Sequence, residues 1–255
     1  MTATRPVRAV RAEWTKLRTL PSTGWLMLVV VLGTVGLGFA ITGSLDFEHC
    51  GTPCPLDTTE LSLAGVRLGQ VGILILAVLA VTAEYSTRTM HPTLAAVPSR
   101  VLVLLGKLAV PAVLAAVAGA LAVAGSLAAG RAVVPALSLA DGLTRRAALG
   151  TVLYLVLIAV LGTGLGLLLR DTAGAVTAAL ILLYGFPVVA AFVNDPVWRQ
   201  RLHRISPMDA GLTIQSTRDL AAQHIGPWEG LGVLSLYAAT AVIAGLIVFE
   251  RRDAG

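Results

Sequence analysis

The sequence predicts an all-α, polytopic integral membrane protein: six transmembrane helices in a single membrane domain over residues 1–255. Six long apolar stretches separated by short polar segments carry that reading. Composition agrees, with 56% hydrophobic residues, 13% charged residues and a mean hydropathy of +0.83, outside the range of soluble globular domains. No extramembrane segment exceeds about 36 residues, which leaves no room for a soluble catalytic core of ordinary size.

The stretches run over residues 25–42, 68–83, 108–129, 147–169, 172–193 and 231–249. Most reach the roughly 20 residues that a helix needs to cross a hydrocarbon core about 30 Å thick. The first follows a basic arm, but its run of about 18 apolar residues is longer than a signal-peptide core, so a retained span is expected. Within the arm, Val7, Val10, Trp14 and Leu17 recur at helical spacing beside Arg8, Arg11 and Arg18. That pattern fits either an interfacial helix over residues 1–24 or an ordinary basic flank. The second stretch is short unless Arg67 snorkels and the helix begins near Leu61. In the fourth, Gly162 and Gly166 form a G-x-x-x-G packing motif, and in the first Gly33, Gly36 and Gly38 sit together. Pro187 in the fifth should kink its helix and free a carbonyl.

Orientation follows from the basic residues. With a cytoplasmic N-terminus, the inside segments hold 11 Lys and Arg in 56 residues and the outside segments 8 in 78. The positive-inside rule therefore predicts both termini in the cytoplasm, and a multi-pass location in the plasma membrane is expected. The net charge of +5 reads as an orientation signal, and no basic face interleaved with aromatics argues for nucleic acid.

Cys50 and Cys54 lie in the first outside loop, where Gly51 and Pro53 permit a tight turn. A local disulfide or two free thiols are the readings there, while a metal site with His49 would have only three nearby ligands. None of the spans carries an ionisable residue near its middle, so the groups that couple a carrier to an ion gradient are missing. Uncharged polar residues, among them Gln70, Thr82, Thr151, Tyr154, Thr163 and Tyr184, are expected to bond a neighbouring helix or their own backbone. No H-E-x-x-H, G-x-S-x-G or P-loop occurs, and His49, His91, His203 and His224 read as solvated loop residues. The chain has no recognised device of its own for hydrolysing ATP and is not expected to be an enzyme.

The most specific segment is the first inside loop, residues 84–100, which begins at Glu84-Tyr85-Ser86-Thr87-Arg88-Thr89 and leads to Leu105-Gly106-Lys107. Met90, Leu94 and Val97 fall on one face of a short helix flanked by Arg88 and Arg100, an apolar stripe suited to a partner's groove. Ala12-Glu13-Trp14-Thr15-Lys16-Leu17-Arg18-Thr19, the E-Y-x-x-x-T, L-x-x-x-P-x-R and L-x-G-K elements between Glu84 and Lys107, Gly226-Pro227-Trp228 and the terminal Glu250-Arg251-Arg252-Asp253-Ala254 together resemble the permease of type-2 ABC exporters. The resemblance runs the length of the chain.

It implies a coupling helix that receives the stroke of a separate ATPase through Glu84, Arg88, Met90, Leu94 and Val97. It also implies an interfacial helix, with Glu13 and Trp14, against the same partner. Residues 194–228 would form an outer gate, and Gln70, Thr82, Tyr184 and Phe186 would face the translocation pathway. Implied partners are two ABC ATPase subunits, a second permease chain as homo- or heterodimer, and membrane lipid. No cofactor is implied for this chain, since ATP and Mg would be bound by the ATPase. A non-transporting scaffold or sensor, or an integral membrane enzyme, are the rival classes.

Overall fold

The computed structural model describes Trp14 and Thr15 together with residues 21–45, 56–86, 100–135, 137–220 and 223–252. Trp14 and Thr15 are helical, and Trp14 is exposed. The main elements are α1 (Pro21–Gly43), α2 (Thr58–Leu63), α3 (Val66–Ser86), α4 (Arg100–Val133), α5 (Gly142–Leu169), α6 (Thr172–Phe192), α7 (Pro196–Ile205), α8 (Pro207–Leu212), a 3₁₀ turn (Thr213–Gln215) and α9 (Pro227–Arg252). Among the described residues, six helical segments are long and apolar enough to cross a membrane: α1, α2 with α3, α4, α5, α6 and α9. This is the architecture of a multi-pass membrane protein. Below, the near end of the bundle is the one where α1 starts, and the far end is the one where α1 stops.

The helices outrun the apolar stretches because polar residues at their ends continue the backbone hydrogen-bond ladder. Asp141 starts α5 by accepting from the Leu143 and Thr144 amides, five residues or more before the apolar run begins. Asp171 starts α6 by accepting from the Gly174 amide at 2.6 Å. Between them Arg170 takes a left-handed backbone, φ 57°, and its N–H closes α5 on Gly166 O. Two residues thus reverse the chain between two spans. The second span gains its length by a different route from a single extended helix: α2 and α3 are joined through a turn at Ala64 and Gly65. Pro111 lies inside α4 and Pro187 inside α6, and both helices continue through them.

α5 is the axis of the bundle, packed against α3, α4, α6 and α9. Its Tyr154, Leu155 and Ile158 meet Leu183 of α6, Ile214 of the 3₁₀ turn and Leu234 of α9 in the main core. The G-x-x-x-G motif lies on the α3 contact. A methyl group on Gly162 would come within 3.1 Å of Leu74 O, and one on Gly166 within 3.4 Å of Val81 Cβ. Of the three clustered glycines in α1, only Gly38 is at a helix contact, 2.3 Å from Ser62 O by the same construction, while Gly33 and Gly36 face open space.

Candidate functional site

Polar groups gather at both ends of the bundle. At the near end, Glu84 comes from the last turns of α3, and Lys107 lies about 10 Å inside α4 from its first residue. The Lys107 ammonium meets the Glu84 carboxylate at 2.5 Å, with 1% and 2% of the two side chains exposed. The sequence reading placed both in the polar loop. The helices instead carry them inward, beside the apolar cluster of Val81, Leu104 and Leu167. Charges this deep are tolerated when each neutralises the other, because the desolvation cost of a lone ion is several kcal/mol or more. Next to them the Arg170 guanidinium lies 5.0 Å from the Tyr85 ring centroid and donates to Val248 O at 3.3 Å. Thr82 of α3 shares a 2.7 Å hydrogen bond with Thr172 at the start of α6. Contacts from α3, α4, α5, α6 and α9 therefore converge where α3 and α4 lead into segment 87–99.

At the far end an uncharged node ties three spans to α8. The Gln70 carboxamide nitrogen contacts Arg67 O at 3.1 Å, Tyr184 Oη at 2.9 Å and Met208 Sδ at 3.0 Å, and its oxygen accepts from the Tyr154 hydroxyl. Tyr184 in turn donates to Arg67 O. Gln70 and Tyr154 are fully buried. Every donor and acceptor in the node has a partner, as burial in an apolar bundle requires.

Met208 reaches Gln70 because α8 and the 3₁₀ turn are embedded among the spans. Pro207, Met208, Ala210, Gly211, Leu212 and Ile214 are all buried. Small residues allow the insertion: a methyl group on Gly211 would lie 2.6 Å from the Tyr154 ring and one on Gly150 2.0 Å from Ile214. Ser206 caps α8 by accepting from the Asp209 amide at 3.1 Å. The chain leaving this insert is pinned by Asp57, the cap residue of α2, which accepts from the Thr217 amide and hydroxyl and from the Arg218 amide. Ser216 bonds Glu60 at 2.8 Å. A cavity of about 230 Å³ opens beside this junction, lined in part by Asp57, Glu60, Arg67 and Gln215. His203, expected in a solvated loop, belongs to α7, bonds Asp209 at 2.8 Å and stacks on His224 at 5.3 Å.

Of the four residues assigned to a pathway, Gln70 and Tyr184 meet in one node. Thr82 lies about 18 Å further along α3. Phe186 is half-buried and two positions from Tyr184, on a different helix face. Of the coupling set, Glu84 is buried in the near-end cluster and Trp14 is exposed, while Glu13, Arg88, Met90, Leu94 and Val97 lie outside the described residues. So do Cys50 and Cys54, and most of the expected interfacial helix. Sequence reasoning missed Lys107 as Glu84's partner, Tyr154 and Met208 as members of the node, and Asp57 as the anchor of segment 216–218. Ser206 and Pro207 before Asp209 were the one available signal among these, a helix-start pattern in the middle of a loop. No protein-family model matches the chain, and no curated protein matches it.

Proposed function

We propose that the chain is the permease subunit of an ATP-binding cassette exporter, with the near end cytoplasmic and the far end outside the plasma membrane. The observation that carries this reading is the buried Glu84–Lys107 pair. It joins the two helices that flank segment 87–99, the segment whose sequence resembles a coupling helix. A push on that segment by an ATPase would be delivered to α3 and α4 together, and through Thr82 and Thr172 to α6. Two ATPase subunits closing on ATP would thus rock the spans of a permease dimer between inward and outward openings. Their nucleotide and Mg would sit wholly in those partner chains.

The far-end insert has the character of a gate. α8 plugs the bundle between α5, α6 and α9, and its exit is held by hydrogen bonds to Asp57 that can break singly without unfolding a span. α1, α6 and α9 bury only 22%, 22% and 28% of their spans, against 56% for α3 and for α5, and so leave faces for a second permease chain. Few charges lie among the spans, which suits an amphipathic or lipophilic cargo.

Purification in mild detergent tests the proposal. A P-loop ATPase should accompany the chain at a fixed ratio, with hydrolysis that depends on it, and Leu94→Asp should abolish that association. Isolation as a lone membrane protein would sink the exporter reading and bring the scaffold or sensor reading forward. An ATPase that still binds the Leu94→Asp variant would remove the coupling-helix assignment while leaving the exporter standing.

A further inference from the structure

At the far end, between α4 and α5, the surface holds an apolar groove of about 350 Å³. Its walls include Ala120, Ala124 and Leu127 from α4 and Ala148, Leu149 and Val152 from α5. Ala124 is exposed and Leu149 is 72% exposed, so the groove opens outward on the bundle surface. Between Ala120 and Leu127 it follows α4 for only about 10 Å, too short to seat the side of another helix. Arg145 forms part of the groove's rim, and Arg131 projects from α4 one turn beyond Leu127.

Both arginines are exposed, and among the described residues neither guanidinium forms an ion pair. Arg131 donates to Leu137 O at 3.3 Å. The acid of the intervening turn, Asp141, is committed to capping α5. Arg145 thus borders an apolar channel, and Arg131 follows on α4 one turn beyond Leu127, at the end of the bundle that the distribution of Lys and Arg otherwise leaves poorer in positive charge.

We propose that this groove binds one anionic phospholipid of the surrounding membrane, an acyl chain lying along the alanines and the phosphate held by Arg131 and Arg145. Arginine suits phosphate because its planar fork donates two parallel hydrogen bonds. The preference for a net negative headgroup follows from the same inventory. An ethanolamine or choline cation would approach two guanidiniums, and the carboxylate of the turn, Asp141, is oriented by the α5 amides it caps. A glycerol headgroup brings its phosphate charge with no opposing cation.

Native mass spectrometry of the delipidated protein, offered equimolar dioleoyl phosphatidylglycerol and dioleoyl phosphatidylcholine, tests this. Wild type should retain the phosphatidylglycerol in preference. Arg131→Gln and Arg145→Gln should each cut that preference about fivefold, the effect of one basic residue at an anionic surface. Ala124→Phe, which fills the groove from its open side, should lower retention of both lipids. Because both arginines are exposed, thermal unfolding in lipid-free detergent should match wild type, which separates lost binding from lost folding. Equal retention of the two lipids by wild type overturns the proposal without recourse to any variant. A preference that survives the double arginine substitution, or retention untouched by Ala124→Phe, overturns it as well.

Discussion

The Lys107 ammonium and the Glu84 carboxylate are buried against each other, and each offsets part of the other's desolvation. Lys107→Leu leaves the Glu84 charge in an apolar site without this partner and should cost about 3–5 kcal/mol. Glu84→Leu combined with Lys107→Leu should recover most of that loss, since the bundle then packs apolar groups where it held two ions. Thermal unfolding in detergent reads both outcomes, and a double variant no better than Lys107→Leu would deny that the pair is a unit. In the exporter reading, the same double variant should still support ATP hydrolysis while flux falls roughly tenfold, a coupling of 1–3 kcal/mol being removed. The Gln70 node makes a similar prediction without charge. Gln70→Leu strips the Tyr154 hydroxyl of its acceptor at a cost of about 1–3 kcal/mol, and Tyr154→Phe added on that background should cost little more. Independent, additive losses would contradict the hydrogen bond. Neither partnership was legible in the sequence. Residues 84 and 107 look like the two flanks of one polar loop, and Gln70 and Tyr154 like two unrelated polar residues, because helix packing alone brings each pair together.

At the level of elements, α8 is the piece whose position is most constrained by what its neighbours lack. A methyl group on Gly230 of α9 would stand 1.9 Å from Ala210 O. Backbone against backbone leaves nothing flexible to yield, so Gly230→Val should force α8 outward and destabilise the protein by about 1–3 kcal/mol or more. Accessibility of a cysteine placed at Met208 should rise in that variant, and an unchanged labelling rate would refute the close approach. Asp57 holds the other side of the insert. Asp57→Ala frees the Thr217 and Arg218 amides, whose hydrogen exchange should quicken while exchange in α5 stays slow. Uniform quickening across the chain would mean that Asp57 supports the whole fold instead. The spans themselves were readable because about 20 apolar residues in a row have few other fates. Their ends were not, since Asp141 and the polar residues after it extend α5 by capping chemistry that hydropathy does not register.

In the whole molecule, a well-packed column of α3 and α5 is flanked by thinly covered α1, α6 and α9. This asymmetry was invisible in the sequence, where all six stretches look equally apolar. Lipid and core are both oily, so composition does not tell the inner helices from the outer ones. Packing does: Gly162 and Gly166 lie on a helix contact, whereas Gly33 and Gly36 meet nothing. The ion pair at the base of segment 87–99 has one more effect at this scale. By tying α3 to α4 on the bundle side of that segment, it helps to fix where the two helices leave for it. Closing a loop becomes dearer only with the logarithm of its length, so doubling the stretch would cost about 0.6 kcal/mol. A lineage could therefore lengthen or shorten the stretch to suit a new partner at little cost in chain closure while α3 and α4 stayed paired.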